Sequence, residues 1–282
     1  MPELPEVETV RQGLNQVTLG QEIWGGDVLL DRTIAHPFSA NEFLARLKNV
    51  TITNWHRRGK YLLAELSKSN PSDAGWLGVH LRMTGQLLWL NQQDPLQKHT
   101  RVRLFFPDNR ELRFVDLRTF GQMWWVPASE APESIITGLK NLGPEPFSSE
   151  FSIEYLVGKL QNRQRTIKAA LLDQALVAGV GNIYADEALF LSGIRPETLC
   201  SALKLEQIER IRTSIIQVLQ ASIEAGGTTF SNFLNVQGVN GNYSGVAWVY
   251  GRTGEPCRVC STSIERIKLA GRSSHFCPKC QQ

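Results

Sequence analysis

Apolar residues at Val7, Val10 and Leu14 recur at helical spacing behind Pro5 and the acidic Glu6 and Glu8. Proline suits a first helical turn, where its missing N–H goes unused. The pattern predicts a buried N-terminal helix that fixes the start of the chain. The period then changes. Residues 21–30, 50–55, 60–66, 76–81 and 86–90 are short and rich in apolar, β-prone types. Over 101–106, Val102, Leu104 and Phe106 alternate with Arg101, Arg103 and Phe105; Pro107-Asp108-Asn109 turns the chain, and Leu112 and Phe114 resume the alternation. Residues 122–126 form another strand. Ser39 and Glu42 make a capping box for a helix through Phe43, Leu44 and Leu47. About eight strands with few helices predict a β-sandwich or flattened barrel.

Residues 128–149 are rich in Pro, Ser, Glu and Gly and read as a linker. Helical patterns follow at 152–160, 165–173, 182–192 and 204–225, the last with Ile208, Ile211, Ile215, Val218 and Leu219 on one side. Between the second and third lies Ala175-Leu-Val-Ala-Gly-Val-Gly181, an apolar double turn. Residues 226–245 hold five glycines and four asparagines. Loops of that length are usually functional or mobile. The expected division is a sandwich over 1–130, a linker over 131–150, a helical domain with its loop over 151–245 and a small module over 246–282. The fold class is α+β and multidomain.

That last module carries Cys257-Arg-Val-Cys260 and Cys277-Pro-Lys-Cys280. Two C-x-x-C pairs at this spacing fit a four-thiolate zinc ribbon, with one structural Zn2+ and no position left open for water. Disulfides or redox motifs are the weaker reading, because nothing at the N-terminus resembles a signal peptide. Cys200, the fifth cysteine, has no partner at ligand spacing and reads as a small packing residue. Hydrophobic residues make up 42% of the 282, and no apolar run approaches the roughly 20 residues of a membrane span. The chain reads as a soluble globular protein. Net charge is only +3, yet residues 251–282 hold six Lys/Arg against two acidic residues. A basic, metal-stapled finger on a near-neutral body suggests a local phosphate-binding surface.

Candidate chemistry begins at Pro2-Glu3-Leu4-Pro5-Glu6. Met1 precedes a small residue, which favours its removal. Pro2 would then carry a secondary amine, and α-amines have reference pKa values of about 8. Such an amine attacking an anomeric carbon forms an iminium ion, and Glu3 supplies an acid/base one residue away. Taken alone, the pentapeptide reads as a simple helix opening. Elsewhere, Gly179-Val-Gly-Asn182 lets backbone approach an anion at a helix start capped by Asn182, or is a packing hairpin. Arg57-Arg58-Gly59-Lys60 puts three cations before a strand, at a cleft rim or in an ordinary turn. His80-Leu-Arg-Met-Thr-Gly85 and Asp116-Leu-Arg-Thr-Phe-Gly121 leave strands as glycine-ended loops. Met83 and Phe120 either fold back into the core or serve as wedges in a base stack, with Arg118 able to read a base edge.

In order and over the whole chain, these motifs resemble the bacterial formamidopyrimidine-DNA glycosylases. The resemblance implies a β-sandwich, a helix–two-turn–helix domain and a zinc ribbon, with damaged double-stranded DNA across the cleft. It implies catalytic roles for Pro2 and Glu3, with Lys60 and Arg272 gripping phosphate at the site. It implies DNA contacts by His80, Met83, Arg118, Phe120, Lys168 and Asn182. Glu6, Thr228 and Thr229 match the base pocket. Arg118 would face the base left unpaired. The implied activity is excision of oxidised purines followed by strand cleavage, by a cytoplasmic monomer that joins the nucleoid when on DNA and uses no diffusible cofactor. The nearest alternative is the endonuclease VIII branch, which prefers oxidised pyrimidines; a non-catalytic zinc-ribbon DNA binder is more distant. Two departures stand out: Ser231 where many relatives carry a basic residue, and a long hairpin loop at 67–75.

Overall fold

A computed structural model describes residues 1–68, 74–228, 235–239 and 241–282. Contacts divide the chain into two compact units, Met1–Lys140 with Gly226–Gly241, and Asn141–Ala225 with Asn242–Gln282. Among the described residues no helix is long and apolar enough to cross a membrane.

The first unit opens with helix α1 (Leu4–Thr18), which buries Leu4, Val7, Val10 and Leu14. Strands β1 (Glu22–Ile23), β2 (Gly25–Val28) and β3 (Ile34–His36) follow, then α2 (Ala40–Leu47). The Ser39 hydroxyl caps α2 by accepting the Glu42 N–H at 3.3 Å. Next come β4 (Val50–Arg58), β5 (Tyr61–Ser67), β6 (Gly75–His80), β7 (Gly85–Asn91), β8 (Thr100–Phe106), β9 (Arg110–Asp116) and β10 (Gln122–Pro127), and two single-turn helices, α3 (Pro132–Ile135) and α4 (Thr137–Lys140).

The strands form two sheets, β1-β4-β5-β6-β10-β3 and β2-β8-β9-β7. Every pairing is antiparallel except β3 with β10. One apolar cluster joins both sheets to α1 and α2: Ile52, Leu62 and Val79 from one, Leu87, Leu104 and Phe114 from the other, with Val10 and Phe43. This is a sandwich whose core is sealed by helices. The expected single strand over 21–30 is divided between the sheets. Ile23 pairs with Val50, Gly25 with Phe105, and the chain crosses at Gly25 with φ +154, a conformation that favours glycine. Val236, which follows the helical region in sequence, is fully buried in this sandwich core, and its carbonyl accepts the Trp89 N–H at 2.9 Å. The described residues between 226 and 241 thus group with the first unit rather than with the helices that precede them.

The second unit holds α5 (Ile153–Leu160), α6 (Ile167–Leu171), α7 (Asn182–Ser192), α8 (Leu205–Glu224) and a hairpin of β11 (Glu265–Leu269) with β12 (Arg272–Phe276). Ser152 and Thr166 cap α5 and α6. The double turn between α6 and α7 is held by Gln174, whose amide donates to the Val180 carbonyl at 2.7 Å and accepts the Gly179 N–H at 2.9 Å. Leu176, Val177, Ala178 and Val180 fill its underside.

Candidate active site and nucleic-acid interface

In the first unit, Glu3 is the N-cap of α1 and Glu6 the third helical residue. Their side chains cap each other's backbone. Glu3 accepts the Glu6 N–H, and Glu6 accepts the Glu3 N–H at 2.8 Å. Glu6 also accepts the Thr228 N–H at 2.9 Å. The helix-opening role of the N-terminal motif is therefore real, and it has a second effect: it fixes two buried carboxylates beside the chain terminus. Burial pushes the terminal amine of Met1 below its usual 8.0; Glu3 and Glu6 oppose the shift, while Lys60 and Arg118 add to it.

Lys60 is buried at the turn of the β4–β5 hairpin, where Arg58 pairs with Tyr61. The first turn residue, Gly59, has φ +57, the left-handed geometry that two-residue hairpins need. The neighbouring Arg57 points elsewhere and pairs with Glu8 at 3.0 Å. Of the three cations in this motif, Arg57 is thus committed to α1.

His80 ends β6 and is buried. Burial pushes its pKa to about 3, helped by Arg82 and Lys60. The Arg82 N–H donates to its Nδ1 at 2.9 Å, which leaves the ring proton on Nε2. Tyr61 meets the ring edge-on at 4.4 Å between centroids. His80, implied as a DNA contact, is in this structure a neutral, packed imidazole.

Met83 is half-buried, whereas Arg118 is exposed and Phe120 is 52% exposed. Phe120 does not fold back into the core. The Arg118 guanidinium lies 5.0 Å from the Phe120 ring centre, a cation–π stack that turns a planar donor group outward on an apolar support.

In the second unit, Asn182 is the first residue of α7 and Gly181 is the cap. The Asn182 side-chain amide donates to the Ser273 carbonyl at 2.9 Å, so the start of α7 is tied to the strand that carries Arg272. Arg272 is exposed and leaves the β11–β12 turn directly; Ala270 and Gly271 both have positive φ, the pattern of a type I′ turn. An exposed arginine tied to the positive end of a helix can hold a phosphate.

Lys168 does not fit a DNA-contacting role. It is fully buried, and its amine donates to Asp186 at 2.5 Å and to the Asn182 carbonyl at 2.8 Å. It sets the start of α7 from below. Sequence reading missed Asp186 and Glu187 altogether. Asp186 accepts the His275 N–H at 2.9 Å and faces its Nδ1 at 3.0 Å. Glu187 accepts the N–H groups of Trp248, Val249 and Tyr250 at 2.8, 2.9 and 2.9 Å. Burial raises the Glu187 carboxyl against those hydrogen bonds. The available signal was two adjacent acids inside an otherwise apolar helix.

The Cys257, Cys260, Cys277 and Cys280 sulfurs all lie within 4.8 Å of one another. Cys257 and Cys280 sulfurs are 3.9 Å apart, and those of Cys260 and Cys277 3.5 Å. A tetrahedron of thiolates about 2.3 Å from Zn2+ has edges of about 3.8 Å. The residues therefore fit one structural zinc. The Val259 and Cys280 N–H groups approach the Cys257 and Cys277 sulfurs at 3.4 Å, which suits thiolates. Phe190, Val249 and Ile264 pack beside the cluster. Cys200 is buried apart, its thiol pushed up by burial. Of the remaining candidates, Thr228 is buried, and Thr229 and Ser231 lie outside the described residues.

Residues 1–123 match the formamidopyrimidine-DNA glycosylase N-terminal domain, 142–233 the formamidopyrimidine-DNA glycosylase H2TH domain, and 254–282 a zinc finger found in FPG and IleRS. The chain is 72% identical over 281 residues to the formamidopyrimidine-DNA glycosylase of Nostoc punctiforme, covering all of this chain and 96% of that one. It is 67% identical over 281 residues to that of Acaryochloris marina, covering 100% and 99%. Among solved structures, a Lactococcus lactis FPG variant bound to Fapy-dG-containing DNA matches with a TM-score of 0.90 at 36% identity, over 100% of both chains. MutM bound to DNA containing carbocyclic 8-oxo-G matches equally, with a TM-score of 0.90 and 36% identity over 100% of both chains.

Proposed function

Since the chain belongs to the formamidopyrimidine-DNA glycosylase family, we propose that it excises oxidised purines, 8-oxoguanine and formamidopyrimidines, from duplex DNA and then cleaves the strand. The observation that carries this reading is the setting of the terminal amine. It is desolvated and its pKa lowered, with Glu3, Glu6, Lys60 and Arg118 as the charges that act on it.

A damaged base inside a duplex is out of reach, and flipping it out costs a few kcal/mol. Met83 and Phe120 offset that cost by filling the gap, and Arg118 reads the base left behind. Asn182 and Arg272 grip backbone phosphate in the second unit. With Met1 in place the Pro2 nitrogen is an amide. Removal of Met1 exposes a secondary amine among the same charges. Its lone pair attacks the anomeric carbon as the glycosidic bond breaks, and the base leaves with that electron pair and a proton. The C1′–O4′ bond then opens, O4′ taking up a proton, and the iminium this leaves acidifies the C2′ proton, whose loss expels the 3′ phosphate. A second proton loss then expels the 5′ phosphate. Glu3, held beside the amine by its capping bond, relays protons. Zinc, when bound, supplies fold rather than chemistry: four thiolates leave it no open position. An all-thiolate site suits a reducing compartment, which favours the cytoplasm.

The test is single-turnover excision from duplexes that vary the lesion. Release of 8-oxoguanine and formamidopyrimidines well ahead of oxidised pyrimidines supports this reading; the reverse order would move the protein to the pyrimidine-excising branch.

A further inference from the structure

The two loops that carry Met83, Arg118 and Phe120 leave neighbouring strands at one sheet end, where Gly85 of β7 pairs with Asp116 of β9. They are also bonded through side chains. The Thr84 hydroxyl donates to Asp116 Oδ1 at 2.5 Å and accepts the Arg118 N–H at 2.9 Å. The second carboxylate oxygen of Asp116 accepts the Gly121 N–H at 2.7 Å. One buried carboxylate therefore closes residues 116–121 on themselves, and one hydroxyl ties that closed loop to the loop of Met83. Both loops bend through left-handed residues with side chains, Arg82 at φ +52 and Thr119 at φ +58. That conformation is disfavoured for residues with a Cβ and persists only where the surroundings impose it. The Arg32 guanidinium holds the Thr119 hydroxyl from outside.

We propose that Thr84 and Asp116 are positioning residues that lock the two loops into one preformed wedge, so that Met83, Arg118 and Phe120 enter DNA as a single rigid piece. This rests on the wedge reading given above. The outer side chains need the support because they have little of their own: Phe120 and Leu117 are half-exposed, and Arg118 stacks on the exposed Phe120. A preset wedge avoids the cost of ordering two loops during insertion. It also fixes the angle at which Arg118 meets the opposite base, so Thr84, which need not touch DNA, sets opposite-base specificity.

Thr84→Val removes the hydroxyl at nearly constant shape, and Thr84→Ser restores it. The readouts are excision of 8-oxoguanine opposite cytosine and opposite adenine, and borohydride trapping on a single-stranded abasic oligonucleotide, which has no base opposite and needs no wedge. Thr84→Val is expected to lower duplex excision roughly tenfold to a hundredfold and to shrink the cytosine-to-adenine ratio. Thr84→Ser should keep both, and single-strand trapping should be equal in all three proteins. Wild-type duplex rates and ratio in Thr84→Val would overturn the proposal. So would equal failure of Thr84→Ser, or loss of single-strand trapping in Thr84→Val, since either makes the contact a folding element. A wild-type protein that neither excises nor traps would remove the functional reading itself, and the proposal with it.

Discussion

Lys168 and Asp186 meet at 2.5 Å inside the second unit, with 1% and 0% of their side chains exposed. A buried pair of this kind is costly to break from one side, because the remaining charge loses its partner. Lys168→Met should therefore destabilise the second unit by about 3–5 kcal/mol. The salt slope of DNA binding should stay unchanged in protein that remains folded, because the Lys168 amine is buried against Asp186 and the Asn182 carbonyl. Chemical denaturation and a salt titration of binding check the two halves; a slope reduced by about one unit would restore Lys168 as a phosphate contact.

Zinc removal should act locally. Cys277→Ser deletes one of four ligands and should melt the β11–β12 hairpin, freeing Arg272 and the Ser273 carbonyl that Asn182 holds. DNA binding weakens while the sandwich and the helices stay folded. Metal content, far-UV circular dichroism and binding, measured together, test this. A zinc-free protein that cuts damaged DNA at the normal rate would contradict it.

His80 makes the first unit acid-sensitive. Its folded pKa of about 3 lies below the ordinary 6.5, so between these values the unfolded chain binds the extra proton. Stability then falls as the pH drops from 6.5 towards 3, by several kcal/mol in all. The Met1 amine adds a shift of the same sign, beginning below its usual 8.0. In His80→Gln the acid-side loss should be shallower. Urea midpoints between pH 7 and pH 4 decide it; parallel curves for both proteins would mean that His80 takes its proton in the folded state.

Arg118 should govern the opposite base. Its planar donor fork suits cytosine, whose O2 and N3 both accept. Arg118→Ala should lose about 1–3 kcal/mol of discrimination between cytosine and adenine, with little change in the salt slope of binding. Excision opposite each base in both proteins measures the ratio; an unchanged ratio removes Arg118 from recognition.

Much of this was legible in the chain because local chemistry enforces it. The α1 periodicity, the Ser39 cap and the four cysteines each act over a few residues, and each is found in the structure. What could not be read depends on distant partners. Lys168 carries an ordinary surface side chain in sequence, and it is partners fourteen and eighteen positions on, the Asn182 carbonyl and Asp186, that take its amine when it is buried. Glu111 and Arg113 lie in β9 between core residues, yet they too are fully buried, paired with each other while the Pro95 carbonyl accepts from Arg113. Alternation predicts which face of a strand meets the core, not whether a loop covers the other face. Residues 226–241 follow α8 in sequence, but Val236 finds its core in the sandwich.

If the Pro2 nitrogen is the nucleophile, the covalent adduct lies on it, and the direct measurement is to locate that adduct. Protein lacking Met1 is reduced with borohydride on abasic-site DNA, digested and mapped by mass. The predicted result is one adduct, on the peptide that begins at Pro2, and none in protein of intact mass that retains Met1. An adduct on Lys60, or equal trapping by the Met1-bearing protein, would place the nucleophile elsewhere than on Pro2.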